Sequence, residues 1–153
     1  MRKVEEMINI RTEPEIIISA FTEPEMLLDW WGVQRTLIDK RPGGVYTLAW
    51  NISDKGFGFL STGFIKEYQP GKLLVVDNFV YCNPEKPFLG PMSLTIHARK
   101  KNDGISELFL CQDGYQQGPD WDWYYEVVKQ AWPEVVNTLK EYLEKNKVIT
   151  KSD

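Results

Sequence analysis

The chain is poor in the residues that usually announce chemistry. Its 153 residues hold a single histidine, His97, and two cysteines, Cys82 and Cys111. Two Cys and one His do not make an ordinary structural zinc site without carboxylates, and no metal or cofactor is expected. The cysteines form no C-x-x-C pair, and a disulfide between them requires the fold to bring them together. No phosphate-binding Walker loop and no dinucleotide fingerprint is present. Met1 leads straight into charged residues without an apolar signal region, and no apolar run approaches about 18 residues. A cytoplasmic protein with no membrane partner is the default expectation, and in that compartment disulfides are rare. Dense basic runs are also missing: the net charge is −4 and the pI about 5.1, so nucleic acid is not an expected partner. The short cluster Arg99-Lys100-Lys101 precedes Asn102-Asp103-Gly104 and reads as a solvated hairpin end.

What the chain does have is rings. Six Trp, seven Tyr and seven Phe accompany an ordinary hydrophobic share of 42%, which points to a core or cavity lined by aromatics. The length suits one domain with a real core, here residues 1–146, followed by a short frayed tail at 147–153.

Val4 to Ile10 reads as a strand. Thr12-Glu13-Pro14-Glu15 and Thr22-Glu23-Pro24-Glu25 each have the spacing of a capping box, with proline in the first turn. They predict two short helices in series, Glu13–Phe21 and Glu23–Trp30, the second stopped by Gly32. Six strand-like segments follow. Gln34–Asp39 comes first, then the turn at Arg41-Pro42-Gly43-Gly44. Val45–Asn51 alternates and places Tyr46, Leu48 and Trp50 on one face. Phe57–Tyr68 contains Gly58 and Gly63, which allow a bend or bulge. Leu73–Tyr81 puts Val75, Asp77 and Phe79 on one face unless a bulge reverses the parity. Asn83 to Pro91 reads as a loop. Met92–Arg99 and Glu107–Gln112 form a hairpin. Tight turns between successive strands make the sheet antiparallel.

The last third carries the clearest period. Trp121, Tyr125, Val128, Trp132, Val136, Leu139 and Leu143 follow steps of three and four, one continuous helical stripe about 35 Å long. Trp123 and Tyr124 lie off this stripe. Pro133 removes a hydrogen bond and crowds the carbonyl of Lys129, which predicts a kink or break. One strand, two short helices, six strands and one long helix give an α+β fold of helix-grip type: a curved antiparallel sheet wrapped around the C-terminal helix.

Ala20-Phe21-Thr22-Glu23-Pro24-Glu25, Trp30-Trp31-Gly32 and Arg41-Pro42-Gly43-Gly44-Val45-Tyr46 resemble the opening of the START-like (SRPBCC) superfamily. Gly63-Phe64-Ile65-Lys66-Glu67 with Pro70 and Leu73 is similar to its central strand and turn. Ala131-Trp132-Pro133 with Val136, Leu139 and Leu143 is similar to its terminal Gly-Trp helix motif, with Ala131 where glycine is common. The nearest branch resembles the C-terminal domain of the activator of heat shock protein 90 ATPase. The resemblance implies a ligand cavity or a chaperone contact. The other domain of the eukaryotic co-chaperone has no room in this length.

Three functions follow as expectations. The first is a binding module whose cavity, between sheet and helix, takes a small hydrophobic or aromatic molecule. The second is a protein-interaction module with a chaperone or a second copy as partner. The third is a cyclase- or hydrolase-like enzyme, for which the sequence supplies no acid–base pair. His97 falls on the polar face of its strand, away from any cleft, and no catalytic residue is assigned. Cavity candidates are Trp30 and Trp31, of which one packs in the core; Tyr46, Leu48 and Trp50 on the bulkier strand face; Asp77 and Phe79; Leu110 and Gln112 near a strand end; and, from the helix, Trp121, Tyr124, Tyr125, Val128 and Trp132. The aromatic head of the helix, Trp121 to Val128, is the expected mouth.

Overall fold

The computed structural model describes residues 2–151, with side chains described through Lys145. The chain runs β1 (Lys3–Ile10), α1 (Pro14–Ala20), α2 (Pro24–Trp31), β2 (Arg35–Ile38), β3 (Val45–Trp50), β4 (Phe59–Gln69), β5 (Leu73–Cys82), β6 (Leu89–Asn102), β7 (Ile105–Asp113) and α3 (Pro119–Lys151). All seven strands form one antiparallel sheet in the order β1-β7-β6-β5-β4-β3-β2. The sheet is curved, α3 lies against its concave face, and α1 and α2 close one side. This is the helix-grip α+β architecture expected from the element order. Of the expected tail from Lys147, the backbone as far as Lys151 continues helix α3, and the last two residues lie outside the described residues.

Local chemistry explains most boundaries. Pro14 and Pro24 open α1 and α2 at positions where a missing N–H costs nothing. The capping boxes, however, do not form. The N-cap residues are Glu13 and Glu23, one position later than a Thr-based box needs, and neither makes a side-chain cap bond. The Thr22 hydroxyl instead donates to the carbonyl of Ile18 at 3.2 Å, closing the end of α1. Gly32 ends α2 with φ +70°, a left-handed cap that glycine adopts without a Cβ penalty.

Two strands depart from their expected course. β6 begins at Leu89, inside the segment read as loop from Asn83 to Pro91, because Leu89 pairs with Tyr81. In β5 the register slips between Val76 and Phe79. Val76 and Phe79 both point inward, so Asp77 turns to the other face, where it accepts from the Ser93 hydroxyl at 2.7 Å and sits 3.8 Å from Lys66. Opposite this slip, β4 bulges at Gly63, where an added Cβ would fall 2.8 Å from the Asp77 carbonyl oxygen. Only glycine fits that approach.

Helix α3 continues as one helix across Pro133, so of the expected kink or break the chain does not break there. Its buried line is Trp121, Tyr124, Val128, Trp132, Val136, Leu139 and Leu143. Tyr124, expected off the stripe, belongs to it: from Trp121 a step of three reaches Tyr124, and steps of four continue to Val128 and Trp132. Tyr125 is half-buried at the side, edge-on to Tyr115 at 5.1 Å and under the guanidinium of Arg2. The hairpin end at Arg99-Lys100-Lys101 is tied by ion pairs, Arg99 to Glu107 at 2.9 Å and Lys100 to Glu13 at 3.6 Å. His97 is half-buried, and Cys82 and Cys111 are both free.

Candidate functional site

The helix and sheet do not close on each other along their whole length. Between the first half of α3 and strands β3 to β7 lies a cavity of about 570 Å³. The sheet supplies Leu48 and Trp50 from β3, Phe59 and Ser61 from β4, Phe79 and Tyr81 from β5, Leu94 from β6 and Gln112 from β7. Asn83, just after β5, and Trp31, the last residue of α2, complete this part of the lining. The helix supplies Trp123, Tyr124, Val127, Val128, Ala131, Trp132 and Val135. Tyr124, Val127, Val128, Ala131, Trp132 and Val135 repeat at helical spacing, so the cavity follows a second stripe beside the core stripe and shares Tyr124, Val128 and Trp132 with it.

The register explains why these sheet residues meet. Leu48 pairs with Ser61, and Ser61 with Tyr81, so one row crosses three strands on the concave face. Trp50 pairs with Phe59 in the next row toward the sheet end. Leu94 pairs with Gln112 across β6 and β7.

The rings hold one another rather than filling the space. Trp31 stands 5.2 Å from Trp50 and 5.6 Å from Trp132, centroid to centroid. Trp30 stacks behind Trp31 at 5.0 Å and donates its indole N–H to the Ala20 carbonyl at 2.8 Å. Trp50 donates to the Trp31 carbonyl at 3.2 Å. Tyr81 and Tyr124 stack at 4.7 Å. Such tethers fix ring orientation, and geometrically matched ring pairs add about 0.5–1.5 kcal/mol each beyond burial.

The polar groups are few. Gln112, only 2% exposed, is the centre of a bonded set. Its amide oxygen accepts from Trp132 Nε1 at 2.8 Å, and its amide nitrogen donates to the Tyr124 hydroxyl at 3.0 Å and the Met92 sulfur at 3.4 Å. Asn83 Nδ2 donates to the Tyr81 hydroxyl at 3.2 Å. Burial pushes the pKa of the Tyr124 phenol upward, against a smaller opposing effect of the Gln112 bond. Burial also raises Tyr81, with the Asn83 bond opposing it, and raises the Cys82 thiol. Both phenols are therefore protonated and neutral near pH 7, and Cys82 is held toward the thiol form. Among the described residues, no group of three or more His, Cys, Asp and Glu is placed to hold a metal ion.

Of the residues singled out from the sequence, Trp31, Leu48, Trp50, Phe79, Gln112, Tyr124, Val128 and Trp132 line this cavity. The others lie elsewhere. Trp30 is core packing behind Trp31. Tyr46 is fully buried, with its hydroxyl donating to the Phe21 carbonyl at 2.6 Å. Leu110 is core beneath the helix, and Asp77 is on the opposite sheet face. Trp121 and Tyr125 pack around Tyr115 at the helix start. Sequence reasoning missed Phe59, Ser61, Tyr81, Asn83 and Leu94 and the helix residues Val127, Ala131 and Val135. The signal for the helix set was present as a second line at the same spacing. Trp123, expected at a mouth or a partner contact, lines the cavity and carries the Lys86 ammonium 4.4 Å above its ring. Among the described residues, no helix is long and apolar enough to cross a membrane.

A family model described as Activator of Hsp90 ATPase homolog 1-like protein matches residues 11–144, and the chain belongs to that family. Solved structures share the fold. Protein MLL2253 from Mesorhizobium loti is 20% identical with a TM-score of 0.73, the match covering 94% of this chain and 98% of that one. The Aha1 dimer from Colwellia psychrerythraea is 15% identical with a TM-score of 0.69, covering 94% and 97%. CalU16 from Micromonospora echinospora is 16% identical with a TM-score of 0.66, covering 96% and 79%. No curated protein matches the sequence.

Proposed function

We propose that this member of the Activator of Hsp90 ATPase homolog 1-like family binds a small hydrophobic or aromatic molecule between its sheet and the first half of α3. The single observation that supports this most is the cavity of about 570 Å³ walled by rings and aliphatic side chains, with a few bonded polar groups. Sites for small organic ligands have this size and this balance. The opening is bordered by Phe59 and Val127, 37% and 44% exposed, which an apolar ligand would cover. Two-dimensional NMR during titration with naphthalene tests the reading. The indole N–H signals of Trp31, Trp50, Trp123 and Trp132 should shift and saturate together. That of Trp30, which faces the Ala20 carbonyl behind the site, should move least. Absence of saturable shifts at the four cavity tryptophans would remove the proposal.

A second reading is an interaction module. The Colwellia psychrerythraea relative is a dimer, and the same exposed Phe59 and Val127 could meet a second copy or a chaperone surface. Sedimentation equilibrium separates the two. A dimer that dissociates when Val127 is changed to Asp favours the interface; a monomer at all concentrations disfavours self-association. Stimulation of a heat shock protein 90 ATPase would favour the chaperone form of this reading.

A further inference from the structure

The hydrogen bonds around the cavity specify the polar end of the ligand; this step rests on the cavity reading above. An indole N–H can only donate. Because Trp132 Nε1 lies 2.8 Å from Gln112 Oε1, the Gln112 amide has one possible orientation, and its Nε2 must face Tyr124 and Met92. The Tyr124 oxygen is thereby an acceptor, and its own hydrogen has no acceptor among the described residues. The same logic applies at Asn83. The Glu85 backbone N–H, again a donor only, lies 3.0 Å from Asn83 Oδ1. Asn83 Nδ2 must therefore donate to the Tyr81 oxygen, and the Tyr81 hydrogen is likewise left to donate.

Two stacked phenols on the cavity wall thus each keep an O–H for a third party. Their elevated pKa values keep those hydrogens in place at neutral pH. Ser61, another hydroxyl-bearing residue of the wall, pairs with Tyr81 across β4 and β5. Every residue lining the cavity is uncharged at pH 7. Lys86, the cation that borders the cavity above the Trp123 ring, is already paired with Asp120 at 3.7 Å, so a ligand carboxylate or ammonium beside Tyr124 and Tyr81 would sit in apolar surroundings without a free counter-ion, at a cost of several kcal/mol. The polar atom that fits is a neutral acceptor.

We propose that the ligand is a neutral aromatic molecule bearing a carbonyl group, a ketone, quinone or ester, whose oxygen is received by the hydroxyls of Tyr124 and Tyr81. The probes are 2-acetylnaphthalene and 2-isopropylnaphthalene, alike in shape, with a carbonyl only in the first. Isothermal titration gives the ratio of their affinities in the wild-type protein, in Tyr124→Phe and in Tyr81→Phe; comparing ratios cancels the probes' different hydration. Loss of one neutral hydrogen bond should lower the ketone-to-hydrocarbon ratio by about three- to tenfold. A general change in the cavity moves both affinities together and leaves the ratio, which is the readout, where it was. The carbonyl stretch of bound 2-acetylnaphthalene should lie at lower frequency in the wild type than in Tyr124→Phe. Tyr81 is only half-buried, so Tyr81→Phe serves if Tyr124→Phe does not fold. An unchanged ratio in the variants, with the hydrocarbon still bound, overturns the donor assignment and leaves the cavity reading standing. Failure of both probes to bind overturns both.

Discussion

Helix α3 carries the same three-and-four spacing along both halves, yet the halves meet the sheet differently. In the second half Val136, Leu139 and Leu143 are 3% exposed or less. The register there is pinned by the Lys140 ammonium donating to the Asn9 carbonyl at 2.6 Å and by the Arg11 backbone N–H donating to Glu144 at 3.0 Å. In the first half the side chains facing the sheet mix the rings of Trp123, Tyr124 and Trp132 with valines and the small Ala131, and a cavity remains. Branched aliphatic side chains interdigitate and fill the space between helix and sheet. Large flat rings tethered through their indole N–H groups and phenol oxygens prop the layers apart. One helix therefore serves as clamp at one end and as cavity wall at the other.

Substitutions in the two halves should separate these roles, and the largest effect belongs to the clamp. Leu139→Ala leaves a void in a closed core and should cost about 3 kcal/mol in urea unfolding, with little change in naphthalene binding by the folded protein. Next comes Gln112→Leu. It strands the Trp132 indole N–H and removes the donor to Tyr124, and should cost about 1–3 kcal/mol while also weakening naphthalene binding. Ala131→Phe reverses the pattern of Leu139→Ala. The added ring enters existing space, so stability should change by no more than about 1 kcal/mol, whereas naphthalene binding should be lost. If Ala131→Phe proves as destabilising as Leu139→Ala, the first half of the helix is packed core and the contrast fails.

The smallest effect lies far from both halves, at the β6–β7 hairpin. Hydrogen bonding and charge from Arg99, with Lys101 and His97 adding to them, hold the Glu107 pKa below its ordinary value. A carboxyl with a depressed folded-state pKa contributes stability above its unfolded pKa, and that stability is lost as pH falls through the folded value. The difference in melting temperature between wild type and Glu107→Gln should therefore be small at neutral pH and shrink toward zero on acidification below the usual carboxylate range. It should not grow. Because Arg99 and Lys101 are largely exposed, salt should reduce the difference as well.

The sequence made the helix-grip order legible because turn residues and periodicity are local signals. Pro14, Pro24 and Gly32 mark helix ends wherever they occur, and the β3 alternation follows from the pleat. The side of α3 that borders the cavity was harder to read. Trp121, Tyr124 and Tyr125 all satisfy steps of three or four, so periodicity alone does not decide between the last two. Asp77 shows a different difficulty. Its parity depends on a bulge set by close approach to Gly63 on the neighbouring strand, a tertiary fact. Ser61 and Tyr81 joined the site only through cross-strand register, which no segment of the chain carries by itself.

The central claim is that the first half of α3 walls an open, ligand-sized space while the second half is closed. Isothermal titration of 2-isopropylnaphthalene into the wild-type protein and into Ala131→Phe tests this most directly, with circular dichroism confirming that both are folded. One saturable site in the wild type and none in the variant is the predicted result. Equal binding by both proteins, or none by the wild type, would contradict it.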